Sequence, residues 1–278
     1  MSERVVSDLK GKVAIVTGGS GGIGRGIAAR LGARGATVVV NGRSEERAAH
    51  VVDEIRAAGG NAHFQSGDVG STGDMRTLAQ SVVEKFGRID IVVPNAGGFD
   101  EQARDPKVRG LFAGIDLERV TNFAGQALLG KLAVVQASVA YLREDGGSVV
   151  FVTSEGGRAP TPGQTGIAAF SAGLIQVSKL LSKELSRDKI RVNCVCVTVV
   201  RDTPSWQAAF DHDDAVSVAH RRQYEKIVER APFGIASPPD IGDVVSFLAS
   251  DESRYLTGAV LSPTGGLTLH CPASVCPG

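Results

Sequence analysis

Short runs of β-branched and other apolar residues alternate along this chain with segments of helical periodicity, and this alternation constrains the fold most. The helical segments include Ile23–Ala33, Glu45–Ala58, Met75–Phe86 and Leu174–Leu185. The runs predicted as strands are Lys12–Thr17, Thr37–Asn41, Ala62–Asp68, Ile89–Pro94, Ser148–Ser154, Ile190–Val197 and Ala259–Ser262. Apolar strands joined by helices form parallel sheets that are covered on both faces. The sequence therefore predicts one α/β domain over residues 1–278, with a doubly wound, seven-stranded parallel sheet.

Length, charge and hydropathy exclude several classes of function. The chain has 278 residues, of which 42% are hydrophobic, and this is enough for one full core. Its 30 basic and 30 acidic residues cancel, and no basic run predicts a nucleic-acid surface. No apolar stretch is expected to reach the roughly 18 residues of a membrane helix, and the polar start is not typical of a signal peptide. A cytoplasmic location is therefore expected.

A glycine-rich turn, Thr17–Gly24, follows the first predicted strand and opens the first predicted helix. In this context glycines let the backbone approach a pyrophosphate, and the helix N-terminus supplies N–H donors and a positive dipole. The pattern is typical of the dinucleotide site of a Rossmann fold. The predicted cofactor-binding residues of this turn are Gly18, Ser20, Gly22, Ile23 and Gly24.

The end of the second predicted strand indicates which dinucleotide is bound. An NAD site needs an acidic residue there to hold the ribose 2′-hydroxyl, but this strand ends Val40-Asn41-Gly42-Arg43-Ser44. A carboxylate would repel the 2′-phosphate of NADP(H), whereas Arg43 can pair with it bidentately. NADP(H) is therefore predicted, with Arg43 and Ser44 at the phosphate. The alternative is that Arg43 is a solvated charge before a helix.

Two more motifs, Asp68-Val69 and Asn95-Ala96-Gly97, stand at the ends of the third and fourth predicted strands. Together with the spacing Thr-Gly-x-x-x-Gly-Ile-Gly, they resemble the classical short-chain dehydrogenase/reductase family. The resemblance implies that Asp68 contacts the adenine and that Asn95 lies beside the cofactor ribose. The other cofactor-binding residues that it implies are Val69, Ala96, Gly97 and Thr203.

The similarity to this family extends from about Leu9 to Leu269 and implies an oxidoreductase that acts on a small organic molecule. It assigns residues 204–232 to a substrate lid and leaves residues 270–278 as a C-terminal tail. The family is usually dimeric or tetrameric through two long helices, which here are Leu117–Leu142 and Ile167–Ser186. Both segments are rich in small apolar residues that allow close helix approach, so a homodimer or homotetramer is expected.

The catalytic segment departs from the family's pattern. In the family a Ser polarises the substrate carbonyl, a Tyr four residues before a Lys donates the proton, and an Asn positions a water relay. Ser154 matches the Ser. Ile167 and Ser171 stand at the Tyr and Lys positions, and Ala124 stands at that of the Asn. The resemblance thus implies an intact adenosine end and an altered nicotinamide end.

Loss of the usual acid limits the chemistry. Hydride transfer to a ketone leaves an alkoxide, and its protonation by a positioned acid is worth roughly 10²–10⁴-fold in rate. Reduction of an iminium, an enone or a quinone depends less on such an acid, because the substrate is already cationic or delocalises the charge. The candidate replacement acids are Glu155, if burial raises its pKa, and the lid residues His220 and Tyr224, which are four apart on a predicted helix. His212 lies in an acidic run that is most simply solvated.

Two classes of function stay open at this point. The first is an NADP(H)-dependent oxidoreductase in which Ser154 binds the reacting oxygen. The second keeps NADP(H) as a structural ligand, while the cleft catalyses a cyclisation, dehydration or isomerisation, or only binds a molecule. Fold alone does not choose between them.

The four cysteines predict no metal site. Cys194 and Cys196 alternate with valines in a strand-like run, which is typical of small core residues. Cys271 and Cys276 lie near His270 in the tail, but structural zinc normally draws on four ligands and no second pair is present.

Overall fold

The computed structural model describes residues 9–97, 105–211, 213 and 215–269. Its strands are β1 Val13–Thr17, β2 Thr37–Gly42, β3 Asn61–Ser66, β4 Ile91–Val93, β5 Gly147–Ser154, β6 Ile190–Val197 and β7 Val260–Leu261. They form one parallel sheet in the order β3-β2-β1-β4-β5-β6-β7. The predicted seven-stranded α/β domain is confirmed.

The helices connect these strands in the expected alternation. They are α1 Gly22–Ala33, α2 Glu45–Ala57, α3 Thr72–Phe86, α4 Leu117–Asp145, α5 Thr165–Leu185, α6 Pro204–Asp211, α7 Ala215–Glu229 and α8 Pro238–Ala249. A single-turn 3₁₀ helix, Glu155–Gly157, joins β5 to the loop before α5.

The central strands contribute alternate side chains to two cores, one on each face of the sheet. In β1, Ala14 and Val16 enter one core, and Val13 and Ile15 enter the other. Residues of α1, α2 and α8 close the first core, and residues of α3, α4 and α5 close the second. Because both faces are covered, all of β1 is buried, and its sequence is uninterruptedly apolar up to Thr17.

The sheet changes its winding direction between β1 and β4. Ala14 of β1 pairs with Val38 of β2 on one side and with Ile91 of β4 on the other. In open α/β sheets, ligands bind beyond the carboxyl ends of the strands at such a switch point. The glycine-rich turn and the Asn95-Ala96-Gly97 motif both leave the sheet at this edge, so the fold brings them together.

The largest difference between a predicted and an observed boundary is at the start of α5. Apolar periodicity predicts this helix from Leu174 and the family resemblance from Ile167, whereas it begins at Thr165, because the intervening stretch is helical although its small residues carry little apolar periodicity. Within the lid segment 204–232, the structure forms two helices, α6 and α7.

The expectation about membrane helices needs a correction. By length and composition alone α4 could cross a bilayer, since an 18-residue window of it has a mean hydropathy of 1.3. This helix nevertheless packs against β4, β5, α3 and α5, and it carries the fully buried Lys131. A core helix of an α/β domain has this apolar composition because the sheet and its neighbours cover it.

Candidate active site

The glycine-rich turn has a backbone path that only glycine allows at its tightest points. Gly18 and Gly22 have φ angles of 64° and 50°. A β-carbon on Gly24 would lie 2.1 Å from the carbonyl oxygen of Gly18, and one on Gly18 would lie 3.0 Å from Cα of Ala96. The residue before α1, Gly21, has no side chain to cap the first N–H groups of that helix. The turn therefore presents backbone donors at close range, as a phosphate site requires.

The turn after β4 is hydrogen-bonded to the end of β1. Thr17 Oγ1 accepts from the amides of Asn95 and Ala96, both at 3.1 Å. Asn95 Nδ2 donates to the carbonyl oxygens of Thr17 at 3.1 Å and Gly18 at 3.4 Å. Gly97 follows with a φ of 98°. These bonds fix the floor of the cleft between β1 and β4.

The end of β2 lies beside the same turn. A β-carbon on Gly42 would lie 2.8 Å from Ser20 Oγ, so the two segments are in contact. Ser44 Oγ accepts from the amide of Arg47 and caps α2. The Arg43 side chain is exposed, and among the described residues it has no ion pair or hydrogen bond. A cation is thus present next to the turn and is available to an anion.

The Asp68-Val69 motif lies after β3 on the same edge. Asp68 Oδ1 accepts from the amide of Gly70 at 2.9 Å, and this bond holds the side chain over its own loop. Val69 packs against Gly130 of α4, where a β-carbon would come within 3.0 Å of the valine side chain. The motif therefore anchors the β3–α3 loop next to α4.

Ser154 is the last residue of β5, and its Oγ accepts from the amide of Gly156 at 3.1 Å. A β-carbon on Gly156 would lie 3.3 Å from Ser154 Oγ, 3.4 Å from Gln164 Oε1 and 3.6 Å from Ile167 Cγ2. The structure thus gathers Ser154, Gln164 and Ile167 around one glycine. Gln164, the residue before α5, was not among the predicted site residues, although it lies only three positions before Ile167.

Ser171 lies one turn after Ile167 on the same face of α5, and both side chains are buried. A β-carbon on Gly157 would lie 2.8 Å from Cβ of Ser171, so the 3₁₀ helix closes over this position. Within the described part of the chain, Ser171 Oγ has no hydrogen-bond partner. A buried hydroxyl without a partner costs about 1–3 kcal/mol.

Glu155 follows Ser154 but belongs to a different set of contacts. Its side chain is buried, and its Oε2 accepts from Ser262 Oγ at 2.6 Å. Arg158 donates to the same serine hydroxyl and lies 3.7 Å from Glu155 Oε1. Burial and the Cys194 thiol raise the pKa of the neighbouring Cys196. The carboxylate therefore joins the end of β5 to the segment after β7, on the side of β6.

Lys131 of α4 lies below the turn after β4, and its side chain is 2% exposed. Its Nζ donates to three consecutive carbonyl oxygens, those of Pro94 at 3.4 Å, Asn95 at 2.8 Å and Ala96 at 3.1 Å. Desolvation lowers the pKa of Lys131 to about 7. A cation thus lies directly beneath the floor of the cleft.

The lid carries an aromatic stack. Tyr224 of α7 is buried and stacks on Trp206 of α6 with ring centroids 5.3 Å apart, and His220 stacks on its other side at 6.2 Å. Burial raises the pKa of Tyr224, and the positive charge of Arg109 offsets part of that rise. Thr203 Oγ1 accepts from the amide of Trp206, so Thr203 caps the start of α6.

A small recess joins the lid side to the end of β5. Its lining residues are Val108, Arg109, Phe123, Gln164, Gly166 and Ile167. Desolvation lowers the pKa of the Arg109 guanidinium in this setting. Gln164 and Ile167 also surround Gly156, so the recess lies close to Ser154. A larger cavity of about 370 Å³ lies at the opposite edge of the sheet, near Lys12 and Arg191, where the strands begin and where parallel sheets do not place their sites.

Comparison with known proteins identifies a matching family model and several similar oxidoreductases. A family model described as "Enoyl-(Acyl carrier protein) reductase" matches residues 18–268. An uncharacterized oxidoreductase of Methylorubrum extorquens is 34% identical over 264 residues, covering 94% of this chain and 100% of that protein. The 3-oxoacyl-(acyl-carrier-protein) reductase FabG of Thermotoga maritima is 33% identical over 263 residues, covering 94% and 99%. The chain belongs to the classical short-chain dehydrogenase/reductase family.

A solved structure of this family shows the same fold. It is 7α-hydroxysteroid dehydrogenase complexed with NADH and 7-oxo glycochenodeoxycholic acid, which superposes with a TM-score of 0.81 at 25% identity and covers 96% of this chain and 98% of its own. The predicted short-chain family and oxidoreductase class are confirmed at that level. The individual site residues stay predictions.

The described residues fit a nicotinamide dinucleotide. The positions where β-carbons would collide in the glycine-rich turn and the uncapped start of α1 both lie after the carboxyl end of β1, where a pyrophosphate would approach the backbone. His212, His270, Cys271 and Cys276 lie outside the described residues, and within the described ranges no group of three potential metal ligands is present.

Proposed function

We propose that this chain is an NADP(H)-dependent oxidoreductase that reduces a small, conjugated carbonyl compound, such as an enone or a quinone. The observation that carries the proposal is the contrast within one cleft. The glycine-rich turn and the end of β2 offer backbone donors and the Arg43 cation to a phosphorylated dinucleotide, while the α5 side chain that lies beside Gly156 together with Ser154 is the aliphatic Ile167.

The choice of NADP(H) rests on the end of β2. The strand ends in Asn41 and Gly42 and offers no carboxylate to a ribose 2′-hydroxyl. Arg43 lies next to the turn with no partner in the described chain, and a guanidinium matches a phosphate bidentately. A 2′-phosphate would supply that partner.

The non-standard catalytic site rests on the positions of Ile167 and Ser171. We take them as the positions where the family carries Tyr and Lys, because they are four apart, share one buried face of α5 and lie against Ser154 and the 3₁₀ helix after it. An aliphatic side chain at the first position has no proton to give. The acid step of a ketoreductase therefore has no donor from α5.

The chain's own residues would act on the substrate oxygen. The bound cofactor would supply the hydride. As negative charge grows on that oxygen, Ser154 Oγ can donate a hydrogen bond to it. The proton must then come from water, from the substrate itself or from a residue of the predicted lid, and its delivery is least demanding when conjugation spreads the charge.

Arg109 narrows the choice among substrates that need no strong acid. Its cation lines the recess next to Gln164 and Ile167, where it would repel an iminium and favour growing negative charge. Tyr224 and His220 remain the nearest candidates for a lid acid, since Tyr224 lies close enough to Arg109 for their charges to interact. Glu155 is held by Ser262 and Arg158 on the other side of β5, which favours a structural role.

A substrate panel tests the proposal. Purified protein is first titrated with NADPH by fluorescence, and NADPH loss is then followed with quinones, enones, imines and simple ketones. We expect binding, and turnover of quinones or enones at least tenfold faster than of ketones of similar size. Equal turnover of simple ketones would refute the altered acid step. Tight NADPH binding without any consumption would favour the alternative, a non-redox catalyst or binding module with a structural cofactor.

We further propose a cytoplasmic homodimer or homotetramer that associates through α4 and α5. The outer faces of these helices carry Leu129 and Leu180, which are 43% and 52% exposed in the single chain. Gly173 has open space where a β-carbon would stand, so another helix can approach closely. Sedimentation equilibrium of the wild type and of Leu180→Glu tests this: we expect the variant to be monomeric, and a monomeric wild type would refute it.

A further inference from the structure

We propose that Lys131 is a positioning residue for cofactor binding, which fixes the turn after β4 from below and supplies the buried cation of the cleft. The proposal rests on the proposed dinucleotide site and goes beyond it, because Lys131 lies on α4 and belongs to none of the motifs that predict that site.

The geometry of the lysine is that of a clamp. An ammonium group has three N–H donors, and here they meet the oxygens of three consecutive residues, Pro94, Asn95 and Ala96. Carbonyl oxygens of consecutive residues converge in this way only if the turn bends around the cation. Without the cation, these dipoles would face one another in a buried space.

The clamped turn is the part of the cleft that meets the glycine-rich turn. From above, Thr17 Oγ1 accepts from the amides of Asn95 and Ala96. From below, Lys131 bonds to the carbonyls of the same two residues. Cα of Ala96 is 3.0 Å from the site of a β-carbon on Gly18, so a small shift of this turn would narrow or open the cleft.

The charge of Lys131 also matters at this place. Within the described chain it has no carboxylate partner, and the titratable neighbour that acts on it is the thiol of Cys194 on β6. Ser171, one helix away on α5, carries no charge where the family carries a lysine. The ammonium beneath β4 is therefore positioned to favour an anionic dinucleotide by charge as well as by shape.

Three variants test the inference: Lys131→Met, which keeps the length and removes the donors; Lys131→Arg, which keeps the charge; and Ser138→Ala, a control at another buried polar residue of α4. NADPH dissociation constants are measured at pH 6.5, 7.5 and 8.5. Because deprotonation removes the cation, we expect wild type to bind NADPH more weakly at pH 8.5 than at pH 6.5. We expect Lys131→Met to bind NADPH at least tenfold more weakly than wild type at pH 6.5 and to show no such pH dependence. Partial recovery is expected in Lys131→Arg, and none of this change in Ser138→Ala.

A measurement on the cofactor-free protein separates this inference from the proposed function. Hydrogen exchange of the peptide that contains the Asn95 and Ala96 amides should be at least fivefold faster in Lys131→Met than in wild type. Unchanged exchange and NADPH binding within twofold of wild type would overturn the role of Lys131. Wild-type protein that fails to bind NADPH would refute the proposed function, while the exchange result would still decide whether Lys131 fixes the turn. If Lys131→Met does not fold, the wild-type pH dependence of binding decides, and a flat profile overturns the proposal.

Discussion

The two ends of the cleft are built by different means. At the end formed by β1, β2 and α1, the space for the proposed dinucleotide depends on the backbone, namely on positive φ angles, on the absence of β-carbons and on the uncapped N-terminus of α1. At the end formed by β5, α5 and the lid, it depends on side chains. There Ile167 is buried, Ser171 has a partnerless hydroxyl in the described structure, and the aromatic rings of Trp206 and Tyr224 stack.

This difference explains why one end can change while the other persists. A backbone site tolerates few substitutions at the positions where an added β-carbon collides with another main-chain segment, as it would at Gly24. A side-chain site accepts a new residue of similar volume without disturbing the fold, and its chemistry changes with it. Substitutions at the backbone end should therefore lower stability and cofactor affinity, whereas substitutions at the side-chain end should change catalysis alone.

The largest effect is expected for Gly24→Ala at the backbone end. The new β-carbon would lie 2.1 Å from the Gly18 carbonyl oxygen, a main-chain atom that cannot move away without a shift of the whole turn. We expect the free energy of unfolding to fall by about 3 kcal/mol or more and NADPH binding to be lost. Urea unfolding and fluorescence titration measure the two effects.

Gly21→Ala is the matched control. No atom lies within 4 Å of a β-carbon there, and the φ of 179° is extended backbone. Its stability should stay within about 0.5 kcal/mol of wild type. If Gly24→Ala is equally stable and still binds NADPH, the backbone end is less constrained than the structure indicates.

The next effect concerns the side-chain end, where Ile167→Tyr combined with Ser171→Lys should create the proton donor that we propose is absent from the wild type. A positioned acid is worth roughly 10²–10⁴-fold, so we expect turnover of a simple ketone with NADPH to rise at least 30-fold. Ile167→Phe with Ser171→Lys keeps the ring and the cation but lacks the hydroxyl. Equal rates in the two double variants would contradict the placement of Ile167 at the proton-donating position.

Lys131 lies between the two ends, and its pKa predicts a smaller effect on stability. The unfolded chain holds this proton up to a pKa near 10.5, whereas burial lowers the folded pKa to about 7. Between these values the unfolded state binds more protons, so rising pH stabilises the fold, and falling pH removes that stabilisation. From pH 7 to 9, wild type should gain roughly 2 kcal/mol relative to Lys131→Met. If the difference in unfolding free energy between wild type and Lys131→Met is the same at pH 7 and pH 9, the pKa of Lys131 is not lowered in the folded state.

The sequence alone predicted the strands and the turn that form the backbone end, because glycine spacing and strand endings are local patterns. The seven strands and the position of the glycine-rich turn needed no tertiary information. Three residues of the cleft were not predicted: Gln164 and Arg109 near the side-chain end, and Lys131 between the two ends. Lys131 stands in an apolar helix where one lysine is usually a solvated charge, and only the packing of α4 under β4 shows that it is buried. Arg109 and Gln164 meet through loops whose path no periodicity encodes.

The smallest effect tests whether the backbone end also selects its cofactor by a side chain. Arg43→Ala removes the cation beside the turn but leaves Ser44 to cap α2. We expect NADPH affinity to fall about tenfold and NADH affinity to change less than twofold, since only the former carries a 2′-phosphate. Arg47→Ala, an exposed arginine in the first turn of α2, controls for the general loss of positive charge. If both variants lower NADPH affinity equally, the general positive charge of this region selects the cofactor. If neither lowers it, Arg43 is a solvated charge, and discrimination between NADPH and NADH must come from the backbone of the turn.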